Sequence, residues 1–161
     1  MKMTQLFVLL SAITLGSGCA TPYQPLDGRG GYRHNKITDH EYEISFRGNG
    51  DFGYRRARNY ALLRAAQIGH ELRFTHFTVE GEWDATQTKS GAVLMPDTEA
   101  GHVAGQPVQM NSSTLVPYSY DWPEAVLRVR YYQTEPGPGH LEVHEVASVL
   151  QRVTAQYKIK L

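Results

Sequence analysis

Hydrophobic and polar positions change period along this chain, and those changes mark its elements. From Glu41, Tyr42, Ile44 and Phe46 alternate with Glu41, Glu43, Ser45 and Arg47, the two-residue period of a half-buried strand. Gly48-Asn49-Gly50 ends the strand, glycine permitting backbone angles that a sharp strand-to-helix turn requires. Between about Asp51 and Leu72 the period lengthens. Ala57, Ala61, Ala65, Ile68 and Leu72 recur three and four residues apart, with Tyr54 and Leu62 beside the stripe. That spacing predicts an amphipathic helix whose small alanines let it lie close against a sheet. Arg58 falls at the edge of the stripe, where its stem is expected to lie along the sheet with its charge in water. Asp51 is placed to cap the first amides.

Alternation returns with Thr75, Phe77 and Val79 against His76, Thr78 and Glu80, predicting a second strand from Phe74 to about Glu82. Strand, helix and strand in succession predict a βαβ unit. Ala125, Leu127, Val129 and Tyr131 mark a third strand; after Pro136-Gly137-Pro138-Gly139, Val143, Val146, Ala147, Leu150, Val153 and Tyr157 mark a second amphipathic helix. Two stretches carry no period. Residues 19–40 are rich in Pro, Gly and Asp and predict a flexible tether. Residues 83–124 hold turn-formers at Ser90-Gly91, Pro96-Asp97, Gly101, Gly105, Pro107, Asn111, Pro117 and Pro123. They predict an irregular insertion, either a short hairpin using Val103 to Met110 or a mobile excursion. The expected architecture is α+β: a two-layer sandwich, its small mixed sheet of three main strands and a possible hairpin covered on one face by two helices. A single domain spans 41–161.

The first residues pair Lys2 with an apolar run from Leu6 to Leu15 and then Gly16-Ser17-Gly18-Cys19, the three parts of an export signal. The run falls short of the roughly 20 apolar residues that cross a bilayer, so residues 1–18 read as a leader. Cys19 is the only cysteine and can form no internal disulfide, so its place directly after the small residues needs an explanation. Ser17-Gly18-Cys19 resembles the lipobox of bacterial lipoproteins, with Gly16 where that motif carries a large aliphatic residue. The resemblance implies acylation of Cys19, and Ala20 in the second mature position implies delivery to the outer membrane, facing the periplasm. Charge is balanced at 16 basic and 16 acidic residues, which leaves no basic excess to select nucleic acid.

Cys19-Ala20-Thr21-Pro22-Tyr23-Gln24-Pro25, with Phe46-Arg47-Gly48-Asn49-Gly50 and Tyr60-Ala61-Leu62-Leu63-Arg64-Ala65-Ala66, resembles a family of proteobacterial lipoproteins of unknown function. The likeness covers the anchor, the first strand and the first helix, and fades beyond Phe77. It implies an envelope location and brings no catalytic residues. Where those relatives end the helix with a glycine, this chain has Arg73, so a left-handed glycine cap is not expected there.

Motifs of catalysis are weak. His140 and His144 share one face if a helix includes both, but the zinc-protease pattern needs glutamate directly after the first histidine, and Leu141 stands there. Two ligands also fall short of a zinc site. These two are the weaker, metal-binding candidates of an alternative, a metal- or ligand-dependent enzyme. The loop Arg47-Gly48-Asn49-Gly50 precedes a helix as an anion site would, without the Lys and Ser/Thr of a phosphate loop. Arg55, Arg56, Arg58 and Arg64 read as a solvated basic face. Tyr118, Tyr120 and Trp122 gather late in the chain, and aromatics with polar tips are enriched at binding surfaces. The expected function is therefore a lipid-anchored envelope protein with a non-catalytic binding or structural domain. Its expected contacts are the membrane through Cys19 and an envelope protein partner at the tyrosines, with no cofactor; a further alternative is an envelope-stress sensor.

Overall fold

The computed structural model describes residues 21–161 except 51, 104, 105 and 141, and the side chains of that range outside 96–112. The leader, Cys19 and Asp51 therefore lie outside the described residues. The described chain is α+β. Its order is β1 (Gly31–Lys36), β2 (Glu41–Arg47), α1 (Tyr54–Glu71), β3 (His76–Asp84), β4 (Gln87–Val103), β5 (Gln106–Trp122), β6 (Glu124–Tyr132), β7 (Val143–Glu145) and α2 (Val146–Tyr157).

Five strands form one sheet in the order β1-β2-β6-β3-β7, and β4 and β5 form a separate two-stranded ribbon. Every pairing between these strands is antiparallel, so the expected mixed sheet of three main strands is corrected to an antiparallel sheet of five. β2 and β3 are both antiparallel to β6 and hence run parallel to each other, as the βαβ reading requires. β6 lies between them, so they do not pair.

Register sorts the residues by face. Tyr42, Ile44 and Phe46 stand opposite Val129, Leu127 and Ala125, and Phe77 opposite Tyr131; these side chains are buried with Ala57, Ala61, Ala65 and Ile68 of α1. α1 is also buried at Tyr60, Leu62, Leu63 and Ala66, well beyond the narrow stripe expected, because it packs against both the sheet and α2. Val146, Val149 and Val153 are the buried positions of α2. The opposite face of the sheet is polar. Glu41 lies between Arg128 and Arg130, its nearer oxygen 3.1 Å from Arg128, and buried Glu124 pairs with Arg47 at 2.9 Å and Arg33 at 3.4 Å.

The segment read as a tether is part of this fold. β1 pairs along β2 from Gly31↔Arg47 to Lys36↔Tyr42, and Thr21 is only 2% exposed. β1 escaped the pattern because it is an edge strand whose core-facing positions are Tyr32, His34 and Lys36, of which only Tyr32 packs against the core. At the start of α1 the residue at the cap position is Gly53, with no side-chain hydrogen bond of its own.

The stretch 83–124 is a long hairpin. β4 and β5 are 17 residues each, paired without interruption from Gln87↔Trp122 to Val103↔Gln106. At roughly 3.3 Å per residue the ribbon reaches about 55 Å. The short hairpin expected over Val103 to Met110 covers only its far end. Asp84 pairs with Ala125 and Gln87 with Trp122, so this arm continues the two neighbouring strands β3 and β6 beyond the sheet.

Candidate functional site

The sequence candidates Tyr118, Tyr120 and Trp122 come together on the arm. Residues two apart in a strand share a face, and these three form a row at its root. Ring centroids are 6.0 Å apart between Tyr118 and Tyr120 and 6.3 Å between Tyr120 and Trp122. Their cross-strand neighbours are Gly91, Lys89 and Gln87. The Lys89 ammonium sits 4.6 Å from the Trp122 ring, within cation–π range. The Tyr118 ring covers Gly91, where an added Cβ would meet the phenol oxygen at 2.7 Å. Trp122 Nε1 is buried with no hydrogen-bond partner. On the reverse face Thr88 donates to Asp121 at 2.7 Å, beside Ser90 and Ser119.

Further out the arm carries a belt that sequence reasoning missed. Val93 pairs with Val116 and Leu94 with Leu115. Leu94 and Leu115 are 63% and 64% exposed, and Met95, Val93, Val116, Tyr118 and Tyr120 are exposed too. The available signal was mirror symmetry: Val93-Leu94 and Leu115-Val116 are reflections about Ala104-Gly105. Among the described elements, β4 and β5 make extensive contact only with each other. The root is tied to the sheet by backbone bonds, Gly48 N–H to Pro123 O and Ala85 N–H to Glu124 O, both 2.8 Å.

The remaining polar groups are occupied within the fold. A bulge between Val79 and Gly81 resets the alternation so that Glu82, opposite Leu127, turns toward α1. There Arg58 Nε meets the Glu82 carboxylate at 2.8 Å and Arg58 Nη2 meets Glu142 at 2.6 Å. Tyr54 donates to Glu82 at 3.0 Å, and His144 Nε2 lies 2.8 Å from Glu142. Arg58 thus clamps α1 to β3 and to the segment before β7, where sequence reasoning left its charge in water. Arg55 is exposed as a solvated face requires, but two further arginines depart from it. Arg56 stacks over Phe52, Tyr60 and Tyr157 at 4.6 to 5.3 Å, and Arg64 over Tyr32 at 4.8 Å.

His140 and His144 do not share a helical face, because α2 begins at Val146 and His144 belongs to β7. His144 rests against the core-facing ring of Phe77 at 5.0 Å, while His140 contacts Tyr132 and lies 3.7 Å from Glu80, on the polar side. Among the described residues no group of three or more His, Cys, Asp and Glu is placed to hold a metal. Burial pushes the His144 imidazole below its usual range against the pull of Glu142. Burial also works to raise Glu142, but hydrogen bonds from Arg58 and His144 bring it below the usual carboxylate range. Two amides of the glycine loop are spent internally, Gly48 on Pro123 O and Asn49 on Thr21 Oγ1 at 2.9 Å. Two concavities of about 450 Å3 flank Phe74, one toward His40 and Arg130, the other toward His70 and Leu150.

Compared with known protein families, curated proteins and solved structures, the chain matches none.

Proposed function

We propose that this chain is a lipid-anchored cell-envelope protein, held by an acylated Cys19 at the outer membrane and facing the periplasm, whose domain works by binding and not by catalysis. The observation that carries the binding reading is the arm, whose exposed tyrosines and aliphatic belt make extensive contact with no other described element. An exposed apolar surface of this kind marks an interaction site, and the two-layer sandwich of sheet and helices is its rigid mount. The export signal and the lone cysteine at its end support the anchor. Self-contained pairing of Arg58, Glu82, Glu142 and His144 supports a structural role for the polar cluster.

The test places a photo-crosslinking residue at Tyr120 in cells and determines the mass of the chain's N-terminal peptide. A discrete envelope adduct, with acylated Cys19 as first residue, is the expected result. An unmodified thiol on freely soluble protein overturns the anchor, and absence of any adduct overturns the binding surface. Stoichiometric metal in purified protein, lost in both His140→Ala and His144→Ala, would replace this reading with the metal-dependent enzyme.

A further inference from the structure

Thr21 is fixed in the fold, its Oγ1 donating to Arg29 O at 3.1 Å and accepting from Asn49 N at 2.9 Å. Only Ala20 separates it from Cys19, so the chain between the acylation position and the folded domain spans at most about 7 Å. The same corner of the molecule holds the root of the arm. Gly48, next to Asn49, bonds Pro123 O at 2.8 Å, and a Cβ on Gly50 would stand 3.6 Å from Tyr120 Cβ. A lipid on Cys19 therefore holds the bilayer surface near Tyr120 and Trp122, with a single residue as spacer.

The chemistry of the root suits that surface. Trp and Tyr concentrate at the membrane–water interface, where an amphipathic ring meets the headgroups. Tyr118, Tyr120 and Trp122 share their face with Val93 and Val116, while at the root Thr88, Ser90, Ser119 and Asp121 occupy the reverse face, which turns apolar only farther out at Leu94 and Leu115. The charged residue across from the row is Lys89, opposite Tyr120 with its ammonium over the Trp122 ring, a cation suited to lipid phosphate. A two-stranded ribbon cannot cross hydrocarbon, because its outward backbone groups would lose their partners. It can lie in the interface, where water and headgroups serve those groups.

We propose that the aromatic face of the arm root docks on the headgroup interface of the membrane that anchors Cys19, fixing the orientation of the domain over the bilayer. The proposal rests on the lipid-anchor reading and names the bilayer as the component bound by that surface. The test couples the chain from Cys19 onward through its only thiol to a maleimide lipid in phosphatidylethanolamine–phosphatidylglycerol vesicles; every described core residue lies beyond residue 20. Trp83→Phe leaves Trp122 as the sole tryptophan. Brominated lipid is expected to quench Trp122 about twofold, as for a ring seated roughly 5–10 Å into the boundary, and Tyr118→Ser with Tyr120→Ser to abolish that quenching while circular dichroism stays unchanged. Emission of Trp122 that is identical in coupled and free protein and untouched by bromine overturns the docking. Because the coupling is chemical, that failure is distinct from failure of native acylation, which is read separately from the mass of the cellular protein. A Tyr120 crosslink to a protein, with Trp122 unquenched, also overturns it.

Discussion

Arg73 occupies a backbone conformation that L-residues avoid. Its φ is 63°, and the Phe74 amide bonds Gly69 O at 2.8 Å while the Arg73 amide bonds His70 O at 3.1 Å, the paired bonds of a Schellman cap. With no glycine to supply it, the left-handed cap falls on Arg73 itself, and Phe74 beyond it is buried in the core. Left-handed geometry costs roughly 1–2 kcal/mol for a residue with a Cβ. Arg73→Gly should raise stability by about 1 kcal/mol after glycine's greater unfolded-state freedom is subtracted, read as a higher urea midpoint with unchanged slope. His144 gives a prediction of the same scale. Its imidazole is held below the ordinary 6.5, so the unfolded chain takes up this proton first as pH falls. Stability from His144 is complete above about pH 6.5 and declines below it; Glu142, also depressed, adds a second decline in the carboxylate range. Melting temperature measured from pH 8 to pH 5 should drop on the acid side, and His144→Gln should flatten the first part of that drop.

The elements show which local signals survive folding. α1 ends its buried run at Gly69, where an added Cβ would come within 2.8 Å of Val146 Cγ2 and 3.1 Å of the Tyr131 ring. Gly69→Ala gains about 1 kcal/mol of helix propensity, but overpacking costs about 1–3 kcal/mol. A lowered denaturation midpoint is therefore expected, and a raised one would show that α2 can move aside. In the arm, Pro96 faces Ser113, Pro107 faces His102 and Pro117 faces Ala92, all in one phase of the ladder. Antiparallel pairs alternate between bonded and non-bonded, and proline has no amide hydrogen, so all three fit only where the nitrogen points out of the ribbon. Prolines that suggested irregular chain instead blunt an open edge. Helices and central strands were legible because their apolar period records a buried face. β1 and the arm were not, since an edge strand and an uncovered ribbon have no continuous face to bury. The aromatic half of the candidate surface was legible by composition, whereas the belt needed the register.

At the scale of the molecule the arm and the core are energetically separable. The core cluster is drawn from α1, α2, β2, β3, β6 and their connections, and no arm residue belongs to it. Replacing Gln87–Trp122 by Asn-Gly, which turns a two-residue hairpin readily, should leave the core's thermal transition cooperative and within about 1 kcal/mol of the parent. Loss of the cooperative transition would instead show that the arm helps to hold β3 against β6.

The sequence by itself determined the two helices, the alternation of β2, β3 and β6, and a candidate anchor at Cys19, since each is written in neighbouring residues. Tertiary structure alone decided that β6 lies between β2 and β3, that residues 31–36 join the sheet, and that Arg58 meets Glu142 across 84 positions of chain. Strand pairing and ion pairs depend on which distant segments meet, and the two-residue period is the same whichever neighbour a strand finds.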